Sequence, residues 1–75
     1  MKIKYDKEAD AAYIQLSDRK PTGVVEISEG VNLDMNDKKE IVGIEILNAS
    51  KKFPLKSLIS CEFDESLLAG GLNLA

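Results

Sequence analysis

Apolar and polar side chains alternate near the start of the chain, on both sides of a short charged segment. Ile3 and Tyr5 are flanked by lysines, and Ala12, Ile14 and Leu16 recur at every second position after the charges. Because successive side chains of a strand point to opposite faces of a sheet, this period predicts two strands that share one apolar face. A hairpin that pairs Ile3 with Ile14 and Tyr5 with Ala12 keeps that face continuous.

The second of these segments also has a helical interpretation. The stretch KEADAAYIQL, residues 7–16, is rich in helix formers, and Ala9, Ala12, Tyr13 and Leu16 lie at helical spacing. We favour the strand and keep the helix as its alternative. The next residues, 17–23, contain Pro21 and Gly23 and are typical of a loop.

The longest alternating segment is VVEISEGVNLDM, residues 24–35. Its odd positions are apolar except at Glu29, and its even positions are mostly polar. The pattern fits one long strand that bends at Gly30, or two short strands with a turn at Ser28 to Gly30.

A further strand is predicted in IVGIEIL, residues 41–47, where Val42, Ile44 and Ile46 share a face. An antiparallel pairing of this strand with the preceding one aligns three apolar pairs, which are Met35 with Val42, Leu33 with Ile44 and Val31 with Ile46. This register leaves a turn of residues 37–40. A slip of two residues also matches the faces, and no Asn-Gly or Asp-Gly pair is present to choose between the registers.

The pattern changes to helical spacing after residue 47. Pro54, Leu55, Leu58 and Ile59 predict a short helix over residues 54–60. A second helix is predicted from Asp64, which would cap it, to the glycines at 70 and 71. The expected fold is α+β and mainly β, a small antiparallel sheet of about four strands (a β-hairpin plus a β-meander) with one or two short C-terminal helices. We expect a single domain over residues 1–75, with a β core at 1–52 and a helical tail at 53–75.

Length and composition favour association with another protein. A chain of 75 residues buries a small core, so its stability alone is marginal. Cys61 is the only cysteine and there is no histidine, which rules out an internal disulfide, a zinc cluster and a Cys–His nucleophile within one chain. We therefore expect a homo-oligomer, a dimer, or a hetero-complex with a protein partner.

The net charge of −3 disfavours direct binding to nucleic acid, which requires a basic face. No apolar run approaches the roughly 20 residues of a membrane span. The N-terminal MKIKYDKEAD lacks the apolar stretch of a signal peptide, so the expected location is the cytoplasm, away from membranes.

The acidic segment at Asp6, Glu8 and Asp10 superficially resembles the start of a calcium loop. Such a loop needs a glycine at its sixth position and a glutamate at its twelfth, where this chain has Ala11 and Ser17. We therefore expect these acids to form a turn rather than a metal site. No cofactor is expected.

Candidate partner-binding residues lie in three places. Lys51 and Lys52 stand beside Phe53 in a basic aromatic cluster, and Tyr13 points away from the predicted core. The tail contributes Leu67 and Leu68 as an apolar docking segment. An ordinary solvated face is the alternative explanation for the lysines.

Three motifs resemble a family of short prokaryotic proteins, domain of unknown function 2283. They are YDKEADAAYIQL from Tyr5, the GV and Asp34 of GVNLD, and VGIEILNAS from Val42. The likeness spans residues 4–52. It implies a small β-rich fold and no assigned activity, and some such proteins look like partners of compact toxin-like proteins. This chain departs from the family in having Lys38 and Lys39 where a glycine is usual, and in the tail from Phe53 onward.

The favoured function is therefore a protein-binding or assembly module, including a regulatory or antitoxin-like one. The alternative is an enzyme, or a protein that binds a small ligand or metal, with a carboxylate site at a subunit interface. Asp6, Glu8, Asp10, Tyr13 and Glu45 are its candidate residues. Enzyme activity is the less favoured of the two, because no catalytic constellation is present.

Overall fold

Five strands form one antiparallel sheet in the computed structural model, which describes residues 1–60, 62, 64 and 66. The strands are β1 (Lys2–Asp6), β2 (Ala11–Gln15), β3 (Gly23–Ser28), β4 (Val31–Met35) and β5 (Ile41–Leu47). Their order in the sheet is β1-β2-β5-β4-β3. The prediction of a mainly β fold with an antiparallel sheet is confirmed, with five strands where about four were expected.

The first hairpin has the register that the apolar pattern predicts. Ile3 lies opposite Ile14, and Tyr5 lies opposite Ala12. The helical alternative for residues 9–16 is wrong, because β2 is paired on both of its sides, with β1 and with β5. Pairing within the sheet satisfies the backbone of this segment and outweighs its modest helix propensity.

The segment 24–35 folds as two strands and not as one. Ser28 pairs with Val31 across a turn at Glu29 and Gly30, and Gly30 has a φ of 72°. The two-residue turn pairs an even position, Ser28, with an odd one, Val31, whereas Val25 lies opposite Leu33. The odd apolar positions of the two strands share a face because one extra residue on β3 shifts the register. A bulge lies between Glu26 and Ser28.

The third hairpin confirms two of the three predicted apolar pairs, Leu33 with Ile44 and Val31 with Ile46. The third pair is wrong, because Met35 lies opposite Ile41 and the register shifts at this point. Val42 is the residue displaced by the shift. Its carbonyl accepts hydrogen bonds from the backbone N–H groups of Leu16 (2.8 Å) and Ser17 (3.1 Å), and its side chain is 2% exposed.

Two short helical segments follow the sheet. The helix α1 spans Ala49–Lys52, and a 3-10 helix spans Leu55–Ile59 within the predicted helix at 54–60. The second predicted helix falls mostly outside the described residues, but Asp64 Oδ1 accepts a hydrogen bond from the Ser66 N–H (2.8 Å). None of the helices that the structure describes is long and apolar enough to cross a membrane.

The sheet has two chemically different faces. The apolar face is formed by Ile3, Tyr5, Ala12, Ile14, Val25, Val31, Leu33, Ile44 and Ile46, which lie opposite one another across the strands. The polar face is formed by Lys2, Lys4, Tyr13, Gln15, Val24, Glu26, Asn32, Asp34 and Glu45. Among the described residues, the buried hydrophobic side chains are small or of medium size, namely Ala12, Val42 and Ala49.

Candidate functional site

The acidic segment between β1 and β2 builds a turn. Asp6 Oδ1 accepts hydrogen bonds from the backbone N–H groups of Glu8 (3.0 Å) and Ala9 (3.2 Å). This is the local bonding that makes aspartate common at turns. The interpretation of these charges as turn chemistry is confirmed for Asp6, and Glu8 remains exposed to solvent.

Asp10 ends the same turn and connects it to α1. Asp10 has a φ of 51°, in the left-handed region that aspartate tolerates better than most residues. Its Oδ1 accepts hydrogen bonds from the Tyr5 hydroxyl (2.7 Å) and the Ser50 N–H (3.0 Å), and its Oδ2 accepts one from the Ser50 hydroxyl (2.7 Å). We call these residues the Tyr5–Asp10–Ser50 cluster. The backbone adds a further link, from the Ala49 N–H to the Asp10 carbonyl (2.9 Å).

The cluster changes the acidity of its own groups. The Ser50 hydroxyl, followed by the Tyr5 hydroxyl and the Ser50 N–H, stabilises the ionised carboxylate and lowers the pKa of Asp10. The same carboxylate accepts a hydrogen bond from the Tyr5 hydroxyl, which holds the phenol in its protonated form and raises the pKa of Tyr5. Both carboxylate oxygens of Asp10 are thus engaged with protein donors. In the part of the chain that the structure describes, no three acids or cysteines are grouped to hold a metal ion.

A second hydrogen-bonded group crosses the polar face. The Tyr13 hydroxyl on β2 donates to Asp34 Oδ2 on β4 (2.8 Å), and β5 lies between these two strands. Gly43 on β5 lies beneath the ring, where an added Cβ would be 2.5 Å from Tyr13 Cζ. Burial, with the hydrogen bond to Asp34 as the next cause, raises the pKa of Tyr13.

Glu45, the remaining acid proposed for an interfacial carboxylate site, has an ordinary polar partner. Glu45 Oε1 accepts a hydrogen bond from the Asn32 amide (3.1 Å), its neighbour across the strands. A shallow depression on the polar face is lined by Lys4, Asp6, Ala9, Ala11, Ala12, Tyr13, Glu45 and Leu47. Asp6 and Glu45 line this depression together with Lys4 and with Tyr13, whose hydroxyl is bonded to Asp34. The depression therefore shows no nucleophile beside a base.

The predicted partner-binding residues do not form one surface among the described residues. Tyr13 is half-buried on the polar face, where it is bonded to Asp34. Lys51 and Lys52 are exposed in α1, and the Lys52 ammonium donates to the Leu47 carbonyl. Phe53 is half-buried directly after α1. Leu67 and Leu68 lie outside the residues that the structure describes.

The apolar face is the surface that the sequence analysis did not identify as a site. Ile3 and Val25, at its two ends, are 42% and 51% exposed. At its centre, Ile14, Leu33 and Ile44 are only half-buried. The alternating pattern predicts one apolar face correctly, but it does not report whether the rest of the chain is large enough to cover that face.

A second missed feature is the hydrogen bonding of Asn36 in the turn between β4 and β5, although the turn itself was predicted at residues 37–40. Asn36 is 8% exposed, and its Oδ1 accepts hydrogen bonds from the N–H groups of Lys38 (3.0 Å) and Glu40 (2.9 Å). Its amide group donates to Glu40 Oε1 (2.9 Å), which also accepts from Arg19 (2.8 Å). An asparagine at the start of NDKKE is the signal that indicates such a turn.

The hydrogen-bonded residues of the two groups lie inside the part of the chain that a family model recognises. The model, described as "Protein of unknown function (DUF2283)", matches residues 2–50. No curated protein and no solved structure matches the chain. The family match includes β1 to β5, Asp10 and Ser50, and the pair of Tyr13 with Asp34. Because it covers well over half of the chain, the protein belongs to the DUF2283 family.

Proposed function

We propose that the protein is a protein-binding or assembly module, and that the apolar face of the sheet is its binding surface. The observation that carries the proposal is the partial exposure of that face. Val25 is 51% exposed and Ile3 is 42% exposed, while Ile14, Leu33 and Ile44 between them are half-buried. Contiguous exposed apolar surface of this kind marks interaction sites in small proteins.

Covering the exposed part of the apolar face contributes free energy to association. Full burial of an aliphatic side chain stabilises by roughly 1.5–3 kcal/mol, so covering a half-exposed residue such as Val25 contributes about 1 kcal/mol. Added over the whole face, this gain opposes the cost of association. The polar face offers no comparable gain, because Tyr13 and Glu45 already have hydrogen-bond partners there.

The nature of the partner is the finer part of the proposal. The likeness to the family adds a regulatory or antitoxin-like role, in which the partner is a compact toxin-like protein. A sheet face with aliphatic residues suits a partner that presents an apolar helix or sheet of its own. The basic cluster at Lys51, Lys52 and Phe53 would lie at the border of such an interface, where charges set orientation more than affinity.

The experiment compares one substitution on each face. Leu33→Gln places an amide at the centre of the apolar face, between Val25 and Ile44, and Glu45→Gln makes a matched change on the polar face of the next strand. Each tagged variant is examined by circular dichroism, by sedimentation, and by recovery of stoichiometric partners from a lysate of its host. We expect Leu33→Gln to lose the partner proteins recovered from the lysate while it remains folded, and Glu45→Gln to keep them. Equal retention in the two variants would refute the proposal.

A further inference from the structure

The two edges of the sheet differ in how they are protected from pairing. The strand order places β1 and β3 at the edges of the described sheet. On β1, Lys2 and Lys4 present charges along the edge, a common device against the addition of another strand. On β3, GVVEIS contains no lysine, arginine or proline, and all six residues are exposed. Val24 is 64% exposed and Val25 is 51% exposed, on opposite faces.

The backbone pattern shows which groups of β3 point outward. The Leu47 N–H donates to the Gly30 carbonyl (2.7 Å), one position beyond the pair of Val31 with Ile46. Bonding alternates along an antiparallel pair, so Asn32 directs its backbone groups to β5 and Leu33 directs its own to β3.

The same alternation continues across the next pair of strands. Leu33 lies opposite Val25, so Val25 directs its N–H and C=O to β4. Val24 and Glu26, on either side of Val25, therefore direct their N–H and C=O to the free edge. These groups form a short template for a further strand.

We propose that β3 pairs with β3 of a second copy of this chain, antiparallel and about a two-fold axis at Val25. In this register Val25 lies opposite Val25, and Val24 lies opposite Glu26 of the second copy. Both Val24–Glu26 pairs then use outward-facing backbone groups, and each pair exchanges both of its hydrogen bonds. The two sheets become one continuous sheet of ten strands, with the apolar faces side by side.

Other registers that keep the apolar faces together are less favourable. An axis at Glu26 places the two glutamates opposite each other, and like charges in that position are destabilising. An axis at Val24 requires Glu26 to pair with Thr22, but the Thr22 N–H already donates to the Met35 carbonyl (2.8 Å). The bulge between Glu26 and Ser28 disrupts the regular edge beyond Glu26. The axis at Val25 avoids the pair of glutamates, the engaged N–H of Thr22 and the bulge.

The second copy is the partner that this edge fits. An isologous contact brings the same strand to itself, and the single charge of β3 then faces an aliphatic side chain instead of its own copy. Pairing of β3 with its copy uses the edge of the sheet, so it does not depend on whether another protein covers the apolar face.

The first test changes the charge opposite Glu26. Val24→Glu creates two like-charge pairs in the proposed dimer, whereas Val24→Lys creates two opposite-charge pairs. We expect the dissociation constant of the dimer from sedimentation equilibrium to be on the order of tenfold higher for Val24→Glu than for Val24→Lys. Adding Glu26→Lys to Val24→Glu should restore the dimer. Equal dissociation constants for these variants, or a wild-type chain that stays monomeric at millimolar concentration, would overturn the register.

The second test uses a disulfide as a distance probe, in a chain with Cys61→Ser. Val25→Cys places two thiols at a close pair, whose Cα atoms are about 4.5 Å apart in such a position, within the range of a disulfide. Ile3→Cys is the matched control, because Ile3 is an exposed aliphatic residue on the apolar face of the other edge. We expect covalent dimers under mild oxidation from Val25→Cys only. Dimers from both variants at the same rate, or from neither, would contradict edge pairing, and neither result bears on the Leu33→Gln test of the apolar face.

Discussion

The Tyr13 hydroxyl donates a hydrogen bond of 2.8 Å to Asp34 Oδ2, and the tyrosine ring crosses the central strand β5 to reach it. This contact depends on the residue beneath the ring. Gly43 is buried, and a Cβ added there would be 2.5 Å from Tyr13 Cζ and 3.0 Å from the Ile14 carbonyl oxygen. A glycine in the middle of a strand weakens it, so its presence here reflects the close approach of the tyrosine.

Gly43→Ala should therefore displace Tyr13 from the polar face. We expect a loss of stability of about 1–3 kcal/mol from overpacking, and a pKa of Tyr13 that falls toward its ordinary value as the ring becomes exposed. Urea denaturation measures the first effect, and alkaline titration of tyrosinate absorbance measures the second. Gly23→Ala is the control, because an added Cβ there meets no atom within 4 Å. If Gly43→Ala and Gly23→Ala were equally stable, the close approach of Tyr13 to Gly43 would be unimportant for stability.

Asp10 should make the free energy of unfolding depend on pH in the acidic range. Its pKa is lowered in the fold, chiefly by the Ser50 hydroxyl, so the unfolded chain binds a proton at this position before the folded chain does. The stabilisation is therefore complete above the ordinary aspartate pKa of about 4, and it is lost as the pH falls through the lower pKa of the folded state.

Two variants test this pH dependence. Asp10→Asn should remove the contribution of this group at acidic pH, and Ser50→Ala should reduce it, because the largest cause of the lowered pKa is gone. The measurement is the free energy of unfolding from urea titrations between neutral and strongly acidic pH. If the acid dependence of both variants matched that of the wild type, the Tyr5–Asp10–Ser50 cluster would not be the source.

The sequence predicted the register of the first hairpin because side-chain parity determines it. Once Ile3 and Ile14 must share a face, few pairings remain, and the structure has the predicted one. The alternation of apolar and polar residues carries no information about bulges. The displacement of Val42 depends on its carbonyl binding two N–H groups from the end of β2, a contact between segments that the local pattern does not contain.

The two hydrogen-bonded groups were beyond the sequence analysis for a related reason. Asp10 and Ser50 lie forty residues apart and meet because β5 is placed next to β2 in the sheet. Tyr13 and Asp34 meet across that same strand. Alternation assigned Tyr13 and Asp34 to the polar face correctly, but contact between them requires the strand order, which a single sequence does not specify.

Asn36 should be the residue on which the turn between β4 and β5 depends most. Asn36→Ala removes an acceptor for two backbone N–H groups and a donor to Glu40 in a nearly buried position. We expect a loss of about 1–3 kcal/mol in the free energy of unfolding. Asp37→Ala, at the adjacent exposed position, should change stability by less than about 0.5 kcal/mol. A smaller loss in the Asn36 variant than in the Asp37 variant would contradict this account of the turn.

Lys39 occupies a backbone conformation that favours glycine. Its φ is 62°, and the left-handed region costs a residue with a Cβ roughly 1–2 kcal/mol. Glycine avoids this cost but loses about 0.5–1 kcal/mol through the greater freedom of its unfolded chain. Lys39→Gly should therefore stabilise the protein by up to about 1 kcal/mol.

The control for this substitution is its neighbour. Lys38 has no positive φ, so Lys38→Gly brings only the entropic cost and should destabilise the protein by about 0.5–1 kcal/mol. Both variants remove one exposed positive charge from the same turn, so the difference between them isolates the backbone effect. Thermal and urea denaturation of the pair measure it. Opposite signs would show that backbone geometry at position 39 decides the effect of glycine in this turn, whereas equal losses would mean that the turn relaxes around either lysine.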